Sequence, residues 1–311
     1  MNLSLTRRWS RWLLPVLVAA WAQSPAVGAE PAAARVLQAA GIAINVDLPD
    51  SEFTGGPQPL LAWIKRSADI VAHYYGRFPT RELRVTVIPT GDSGVHGGTT
   101  FGRYGGYIRV RVGRETADAQ LVDDWVLVHE MIHLALPDVG ENHSWLSEGI
   151  STYVEGIARA QMGNRTIEDV WSEQMRSMPK GLPQAGDRGL DNTHTWGRTY
   201  WGGALFCLQA DIEIRRRTHG RYGLEDALRA VNRESGGIVV DWPIERVFKV
   251  GDAAVGVAVL EDLYAKAKDA PLSPDLDALW RELGIESQAE GMRFHDDAPL
   301  AGERKAIMKG S

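Results

Sequence analysis

The sequence predicts an α+β fold in which a small mixed β-sheet is followed by a mostly α-helical half, with a cleft between them. Alternating apolar and polar residues predict strands at residues 83–88 and 107–112. From residue 120 onward, apolar residues recur at spacings of three and four, which predicts helices. The single cysteine, Cys207, excludes an intramolecular disulfide and lies in an apolar helical pattern, so we expect it to be buried.

Residues 1–29 have the layout of a secretory signal peptide. Three arginines precede an apolar run over residues 12–21, and small residues follow it. The run is too short for a spanning helix, which needs roughly twenty residues. We therefore expect an exported protein, periplasmic or secreted, with no stable membrane insertion after signal cleavage. The alternative is an uncleaved N-terminal membrane anchor.

The rest of the chain divides into two parts of one unit. Residues 30–163 contain the predicted sheet and two central helices, and residues 164–311 form a mostly helical part. In the first part we expect a strand at 41–46, a helix at 60–75 and a strand at 83–88 that ends at Pro89. In the second part, helical patterns cover residues 167–178, 200–218, 224–233, 257–268 and 274–283.

The central motif is His129-Glu130-Met131-Ile132-His133, within a helix predicted for residues 120–136 and ended by Pro137. Residues four apart on a helix lie one above the other, so His129 and His133 can direct both imidazoles at one metal ion. Glu130 lies one step round the helix. Its carboxylate is then beside the metal, where it can accept a proton from a bound water.

A third ligand is offered by Glu148, near the start of a second helix predicted from residue 144 to residue 163. We place it in the first turn, facing back toward the two histidines. Three protein ligands leave a fourth position open, which is the arrangement of a catalytic zinc and not of a structural one. The alternative is that the histidine pair is polar packing.

These motifs resemble the gluzincin metallopeptidases, the group that includes thermolysin and aminopeptidase N. The resemblance rests on the His-Glu-x-x-His motif and on the later run Trp145-Leu146-Ser147-Glu148-Gly149-x-x-x-Tyr153-x-Glu155. Segments 200–205, 211–218 and 296–301 are most similar to the glycyl-aminopeptidase branch. The similarity runs from about residue 85 to the end, and it implies a thermolysin-like metallopeptidase domain, here without the PDZ domain common in that branch.

The resemblance also implies the roles of the site residues. One zinc ion is bound by His129, His133 and Glu148, and Glu130 acts as general base. Tyr200 matches the family tyrosine whose hydroxyl stabilises the oxyanion of the tetrahedral intermediate.

Two further residues are expected to support the histidines. Thr152 and Glu155 lie four and seven residues beyond Glu148, on the same face of the predicted helix. Metal-bound histidines commonly donate their other ring nitrogen to such groups.

Substrate binding is expected beside a glycine-rich loop at residues 94–106, which leads into the strand at 107–112. Exposed arginines suit that strand to a sheet edge, where it either pairs with an extended peptide, with Gly105, Gly106 and Tyr107 as contacts, or is an ordinary covered edge. In the related aminopeptidases this region contains a glutamate that binds the substrate amine. Residues 94–106 contain no Asp or Glu, so aminopeptidase and endopeptidase action both stay open.

The sequence therefore predicts an exported zinc metallopeptidase that hydrolyses a peptide or protein substrate. The alternative is a secreted peptide-binding protein that keeps the fold and the metal without catalysis. The net charge of −6 argues against nucleic acid as a partner. The sequence contains no signal for the oligomeric state.

Overall fold

The computed structural model describes residues 33–102, 105–289 and 291–310. The predicted signal peptide lies outside the described residues, and its cleavage stays a prediction. Within the described ranges, no helix combines the length and the apolar character needed to cross a membrane.

The first part of the fold is a five-stranded mixed sheet with the order β1-β2-β3-β5-β4. The strands β1 and β2 are antiparallel, β2, β3 and β5 are parallel, and β4 runs antiparallel to β5 at the edge. A separate two-stranded hairpin lies near the C-terminus. The bounds are Ala33–Ala39 (β1), Ile42–Leu48 (β2), Glu82–Thr90 (β3), Val95–Phe101 (β4), Tyr107–Gly113 (β5), Ile285–Gln288 (β6) and Gly291–Phe294 (β7).

Eleven helices are present among the described residues, and most follow the sheet. Their bounds are Gln58–Tyr75 (α1), Asp118–Asp123 (α2), Val126–His133 (α3), Ser144–Gln161 (α4), Ile167–Ser177 (α5), Gly203–Arg217 (α6), Leu224–Ser235 (α7), Ile244–Val255 (α8), Leu260–Ala267 (α9), Leu276–Leu283 (α10) and Ala301–Lys309 (α11). A π-helical turn, Arg198–Gly202, precedes α6. The predicted succession of a small sheet and a helical half is confirmed.

The core lies between the sheet and the central helices. Every second residue of β2 from Ile44 to Leu48 is fully buried, and β3 and β5 bury alternate residues in the same way. Two tryptophans, Trp63 on α1 and Trp145 on α4, are among the largest side chains in this core. Cys207 is buried on α6, as expected.

The prediction of a single helix over residues 120–136 is wrong, because the structure divides this segment into α2 and α3 at Asp124. The Asp124 carboxylate accepts hydrogen bonds from the backbone N–H of Leu127 and from Nε1 of Trp63. Asp124 therefore caps the start of α3, and α2 ends at the residue before it. The helix α3 stops at His133, four residues before Pro137, and the chain then turns.

The region of residues 82–113 also differs from prediction. The glycine-rich segment that we expected to be a loop contains the strand β4, which lies outside β5. The prediction that residues 107–112 form the sheet edge is therefore wrong.

Pro89 does not end β3, as the sequence predicts, but lies within it. The pairing of β3 with β2 stops at Thr86, so β3 has only one partner strand there and the missing N–H of proline is tolerated. The strands β1, β6 and β7 and the helices α8 and α11 were not predicted.

A buried asparagine fixes the end of α3 to the rest of the fold. Asn232 on α7 is 1% exposed, and its Nδ2 donates to the carbonyls of Pro79 and Ala135. The segment after α7 adds a backbone hydrogen bond from Ile238 to the carbonyl of Leu134. Carbonyls that the helix end would leave without partners are thus satisfied, and the turn after His133 is held in place.

The helices α4 and α6 touch at two glycines. A Cβ at Gly149 would lie 2.4 Å from Cα of Gly203, and a Cβ at Gly203 would lie 2.0 Å from the carbonyl oxygen of Trp145. Neither helix backbone has room for a side chain at this contact. Only glycine at both positions allows the observed approach of α4 and α6.

We predict that Gly149→Ala lowers the free energy of unfolding by about 2–3 kcal/mol, because the added methyl group forces the two backbones apart. Gly302→Ala on α11 is the control, since a Cβ there meets nothing within 4 Å. It should leave stability unchanged or raise it by up to about 1 kcal/mol. Denaturant unfolding of the two variants measures the difference, and equal stabilities would contradict this account of the contact.

Candidate metal centre

The side chains of His129, His133 and Glu148 converge between α3 and α4. Nε2 of His129 lies 3.1 Å from Oε2 of Glu148, and Nε2 of His133 lies 3.5 Å from the same oxygen. One ligand atom from each residue lies within 4.8 Å of the other two. The structure therefore brings together the three ligands that the sequence predicts.

Two helices position this cluster. His129 and His133 are one turn apart on α3, and their ring centroids are 4.9 Å apart. Glu148 lies in the second turn of α4 and not in the first, because α4 begins at Ser144. The turn between the helices folds α4 back against α3, which directs the Glu148 carboxylate at both imidazoles.

The electrostatics keep Glu148 ionised. Burial alone raises the pKa of its carboxyl group, but hydrogen bonds and charge from His129 and His133 outweigh burial and hold the pKa at about 2. A carboxylate must be deprotonated to bind a metal ion. Glu148 meets this condition at neutral pH.

The donor set fits zinc. Two imidazole nitrogens and one carboxylate oxygen, with a fourth position left open, are the ligands of a catalytic zinc site. Ligand atoms about 2.1 Å from a tetrahedral ion lie about 3.4 Å apart, which agrees with the two nitrogen–oxygen separations in the cluster.

Ser151 supports the cluster from α4. Its Oγ lies 3.3 Å from Nδ1 of His133, so it can accept a hydrogen bond from that nitrogen while Nε2 faces the other ligands. The sequence predicts this role for Thr152 and Glu155 instead. Within the described part of the chain, neither forms a hydrogen bond with a histidine of the cluster. The Glu155 carboxylate bonds to Arg159 at 2.8 Å.

Glu130 lies beside the cluster and is held by the sheet. The hydroxyl of Thr100 on β4 lies 2.6 Å from Oε2 of Glu130 and 2.8 Å from its backbone carbonyl oxygen, so its single proton is shared between these two acceptors. Gly98 makes room for the side chain, since a Cβ there would lie 2.5 Å from Cγ of Glu130. The edge strand therefore positions the predicted base.

Tyr200 lies on the π-helical turn before α6, with its ring roughly parallel to that of His129 at 6.3 Å. Burial and the charges of Glu148 and Glu130 raise the pKa of its hydroxyl to about 12. The phenol is consequently protonated at neutral pH and can donate a hydrogen bond.

A cleft of about 440 Å³ opens over these groups. The edge strand β4 lines one side through Gly98, Thr99 and Thr100, and the turn after α3 lines another. The predicted contacts Gly105, Gly106 and Tyr107 do not border this cleft; Tyr107 stacks on Phe101 instead. The difference arises because β4, and not β5, is the strand next to the site.

A second, larger cleft adjoins the first. It has a volume of about 1060 Å³ and shares His129 and Tyr200 with the smaller cleft. Its walls come from the start of α3, from α4 and α5, and from the segment before α6. The site is thus open on two sides of the His129 and Tyr200 rings.

Sequence reasoning missed Gly98, Thr100 and Ser151. The glycines of the segment 94–106 suggested a loop, although they permit the close approach of a strand to Glu130. The choice of Thr152 over Ser151 depends on a single step round the helix, and the sequence pattern does not determine the angle at which α4 meets α3.

No protein-family model matches the sequence, and no curated protein matches it. Among solved structures, the chain is similar to an aminopeptidase N family protein from Idiomarina loihiensis, with a TM-score of 0.60 and 14% identity over 82% of this chain and 49% of that one. The fold of this chain therefore matches that of the aminopeptidase N family protein over most of the described residues. An M1 zinc metallopeptidase from Deinococcus radiodurans matches with a TM-score of 0.48 and 14% identity, over 78% of this chain and 53% of that one. The chain spans about half the length of these structures, and at such identities the likeness establishes the fold alone.

We predict that Ser151→Ala weakens zinc binding about tenfold, because His133 loses the partner of its Nδ1. Thr152→Val should leave the zinc Kd unchanged, since Thr152 makes no hydrogen bond to the histidines. Competition with a chromophoric chelator measures both. Equal losses in the two variants would mean that the serine has no special role.

Proposed function

We propose that this chain is a zinc-dependent peptidase that hydrolyses peptide bonds in the cleft between the sheet and the helical half. The observation on which this depends is the convergence of two histidines and one glutamate beside a separate, hydrogen-bonded glutamate, at the free edge of a sheet. His129, His133 and Glu148 would hold the ion. When bound, zinc lowers the pKa of a water molecule and polarises the peptide carbonyl.

Glu130 is the general base in this proposal. Among the described residues, it is the acid beside the cluster that is held by β4 and does not belong to the ligand set. Its carboxylate accepts the proton released by the attacking water and passes it to the leaving amine. Thr100 fixes the orientation of the carboxylate, so little reorganisation accompanies the transfer.

Tyr200 supplies a neutral donor for the oxyanion. Its raised pKa keeps the hydroxyl protonated, and its ring lies beside that of His129 and borders both clefts. Such a donor stabilises charge that develops only in the transition state.

The substrate backbone pairs with β4. The outer edge of this strand has no partner strand among the described residues, and Gly98 to Thr100 line the cleft. Backbone pairing at a sheet edge binds extended peptides with little dependence on their sequence.

Two finer points belong to the same proposal. The likeness of segments 200–205 and 211–218 supports the glycyl-aminopeptidase-like branch, and the layout of residues 1–29 supports export. The alternative of a peptide-binding protein without catalysis is not favoured, because metal binding alone requires neither a base at Glu130 nor a phenol at Tyr200.

We predict that Glu130→Gln lowers kcat about a thousandfold and leaves zinc content at about one ion per chain, because the base is lost and the ligands are not. Glu168→Gln, an exposed change on α5, is the control and should keep full activity. Metal analysis together with cleavage of a peptide library measures both. A variant that keeps zinc and full activity would remove Glu130 from the mechanism, and wild-type protein that holds zinc and cuts nothing would refute the peptidase proposal.

We predict that Tyr200→Phe lowers kcat about a hundredfold with little change in KM, because the lost hydrogen bond forms mainly in the transition state. Tyr222→Phe, remote from the clefts, should behave as wild type. Steady-state kinetics on one peptide separates the two parameters. A rise in KM at constant kcat would instead make Tyr200 a substrate-binding residue.

A further inference from the structure

The second cleft has two cationic side chains without a carboxylate partner. Arg176 and Lys180 are both exposed on its wall, four residues apart at the end of α5 and in the turn that follows. In the described part of the chain, neither has an acidic group within ion-pair distance. The other two cations of this cleft are paired: Arg159 contacts Glu155, and Arg165 contacts Glu173 at 2.6 Å.

Lys180 is held in place by uncharged groups. Its ammonium lies 5.9 Å from the ring centre of Trp196 and 5.8 Å from that of Trp201, and it donates to Oγ of Ser177 at 3.2 Å. Cation–π contacts orient an ammonium group without neutralising it. The positive charge therefore remains available to an anion in the cleft.

A row of aromatic rings connects Lys180 with the metal cluster. Trp196 stacks on Tyr200 at 5.8 Å, and Tyr200 lies parallel to His129 at 6.3 Å. Trp196 is 60% exposed and borders the second cleft, so the row presents an aromatic surface to a ligand there. A ligand at the metal cluster that extends along this row reaches the ammonium of Lys180.

The direction of β4 indicates which end of a peptide lies there. The strand begins near α2, where Gln120 approaches Ser93 at 3.5 Å, and it ends near Ile238, whose carbonyl contacts Gly102. Ile238 borders the first cleft, whereas the residues after α2 border the second. A peptide added antiparallel to β4, the commoner pairing, then has its amino end in the first cleft and its carboxyl end in the second.

The charges of the two clefts agree with this direction. The described residues that line the first cleft include four carboxylates, Glu130, Asp138, Glu141 and Glu148, and no Lys or Arg. The second cleft is lined by four carboxylates and four cations, and its positive charge is concentrated at Arg176 and Lys180, which form no ion pair among the described residues. A short peptide with free ends has the complementary charges in the same order.

We propose that Lys180, assisted by Arg176, binds a carboxylate on the C-terminal side of the scissile bond and makes the enzyme selective for short peptides with a free C-terminus. This inference rests on the proposed peptidase function. The carboxylate is that of the chain terminus or of an acidic side chain near it, and the two sources are separable by experiment.

The test uses one short peptide in three forms: with a free C-terminus, with a C-terminal amide, and as an amide with Glu in place of Gln at the last position. We expect wild-type protein to cleave the free acid with a kcat/KM about tenfold above that of the amide, the effect of one charged hydrogen bond. Lys180→Met should abolish the preference by raising KM, Lys180→Arg should keep it, and Lys180→Glu should reverse it. Lys249→Met on α8, which removes the same charge outside both clefts, is the matched control.

Binding is measured in parallel in the zinc-loaded Glu130→Gln protein, by calorimetry with the same peptides, so recognition is observed without turnover. A Kd ratio that depends on Lys180 supports the inference even if no peptide is cut, in which case only the peptidase proposal fails. A preference for the Glu-containing amide alone assigns the carboxylate to a side chain. Equal cleavage and binding of all forms by wild type and Lys180→Met would overturn the inference and leave the peptidase proposal intact.

Discussion

The contact between Gly149 and Gly203 is the constraint on which the site depends. Glu148 immediately precedes the first glycine, and Tyr200 lies three residues before the second. When the two helix backbones meet without intervening side chains, both groups come to lie beside His129: Glu148 at its Nε2 and Tyr200 roughly parallel to its ring. Any widening of this contact would separate Glu148 on α4 from Tyr200 before α6, so the distance between ligand and donor is set by one backbone approach and not by two independent loops.

Buried charges hold the same helices on the far side of the contact. Asp211 on α6 accepts hydrogen bonds from the hydroxyl of Tyr153 on α4 and from Arg215, and Arg215 bonds to Glu225 on α7 at 2.7 Å. The acids and the arginine are buried, so each charge depends on its partners for the solvation it has lost. The burial of Arg215 among acids joins three helices into the rigid support that a catalytic site requires.

The part of the site that could be predicted is the part determined by helical periodicity. His129, His133 and Glu130 have fixed relative directions on any helix, so their roles follow from spacing. Residues whose contacts depend on the angle between two elements could not be predicted. Thr152 was expected to support the histidines, but Ser151 is the residue that contacts His133. Gly98 and Thr100 were missed because glycine lowers strand propensity even where it permits a strand to approach a side chain. The second cleft combines residues 123–125 with residues 164–201, and no local pattern reports their proximity.

The edge strand β4 exposes the protein to aggregation through strand pairing. Natural sheets usually protect their edges with lysine, proline or bulky charged residues. The stretch from Val95 to Phe101 contains no Lys, Pro, Arg, Asp or Glu, and Gly98 has no space for a side chain because Glu130 lies behind it. The strand's one protective feature is a register shift between Val95 and Gly97. The backbone groups of β4 that are available to a peptide substrate are therefore equally available to a strand of another molecule. Protection against self-association then rests on the register shift at the start of β4 and on the position of the strand inside the cleft, so access for substrate and resistance to aggregation are opposed in this fold.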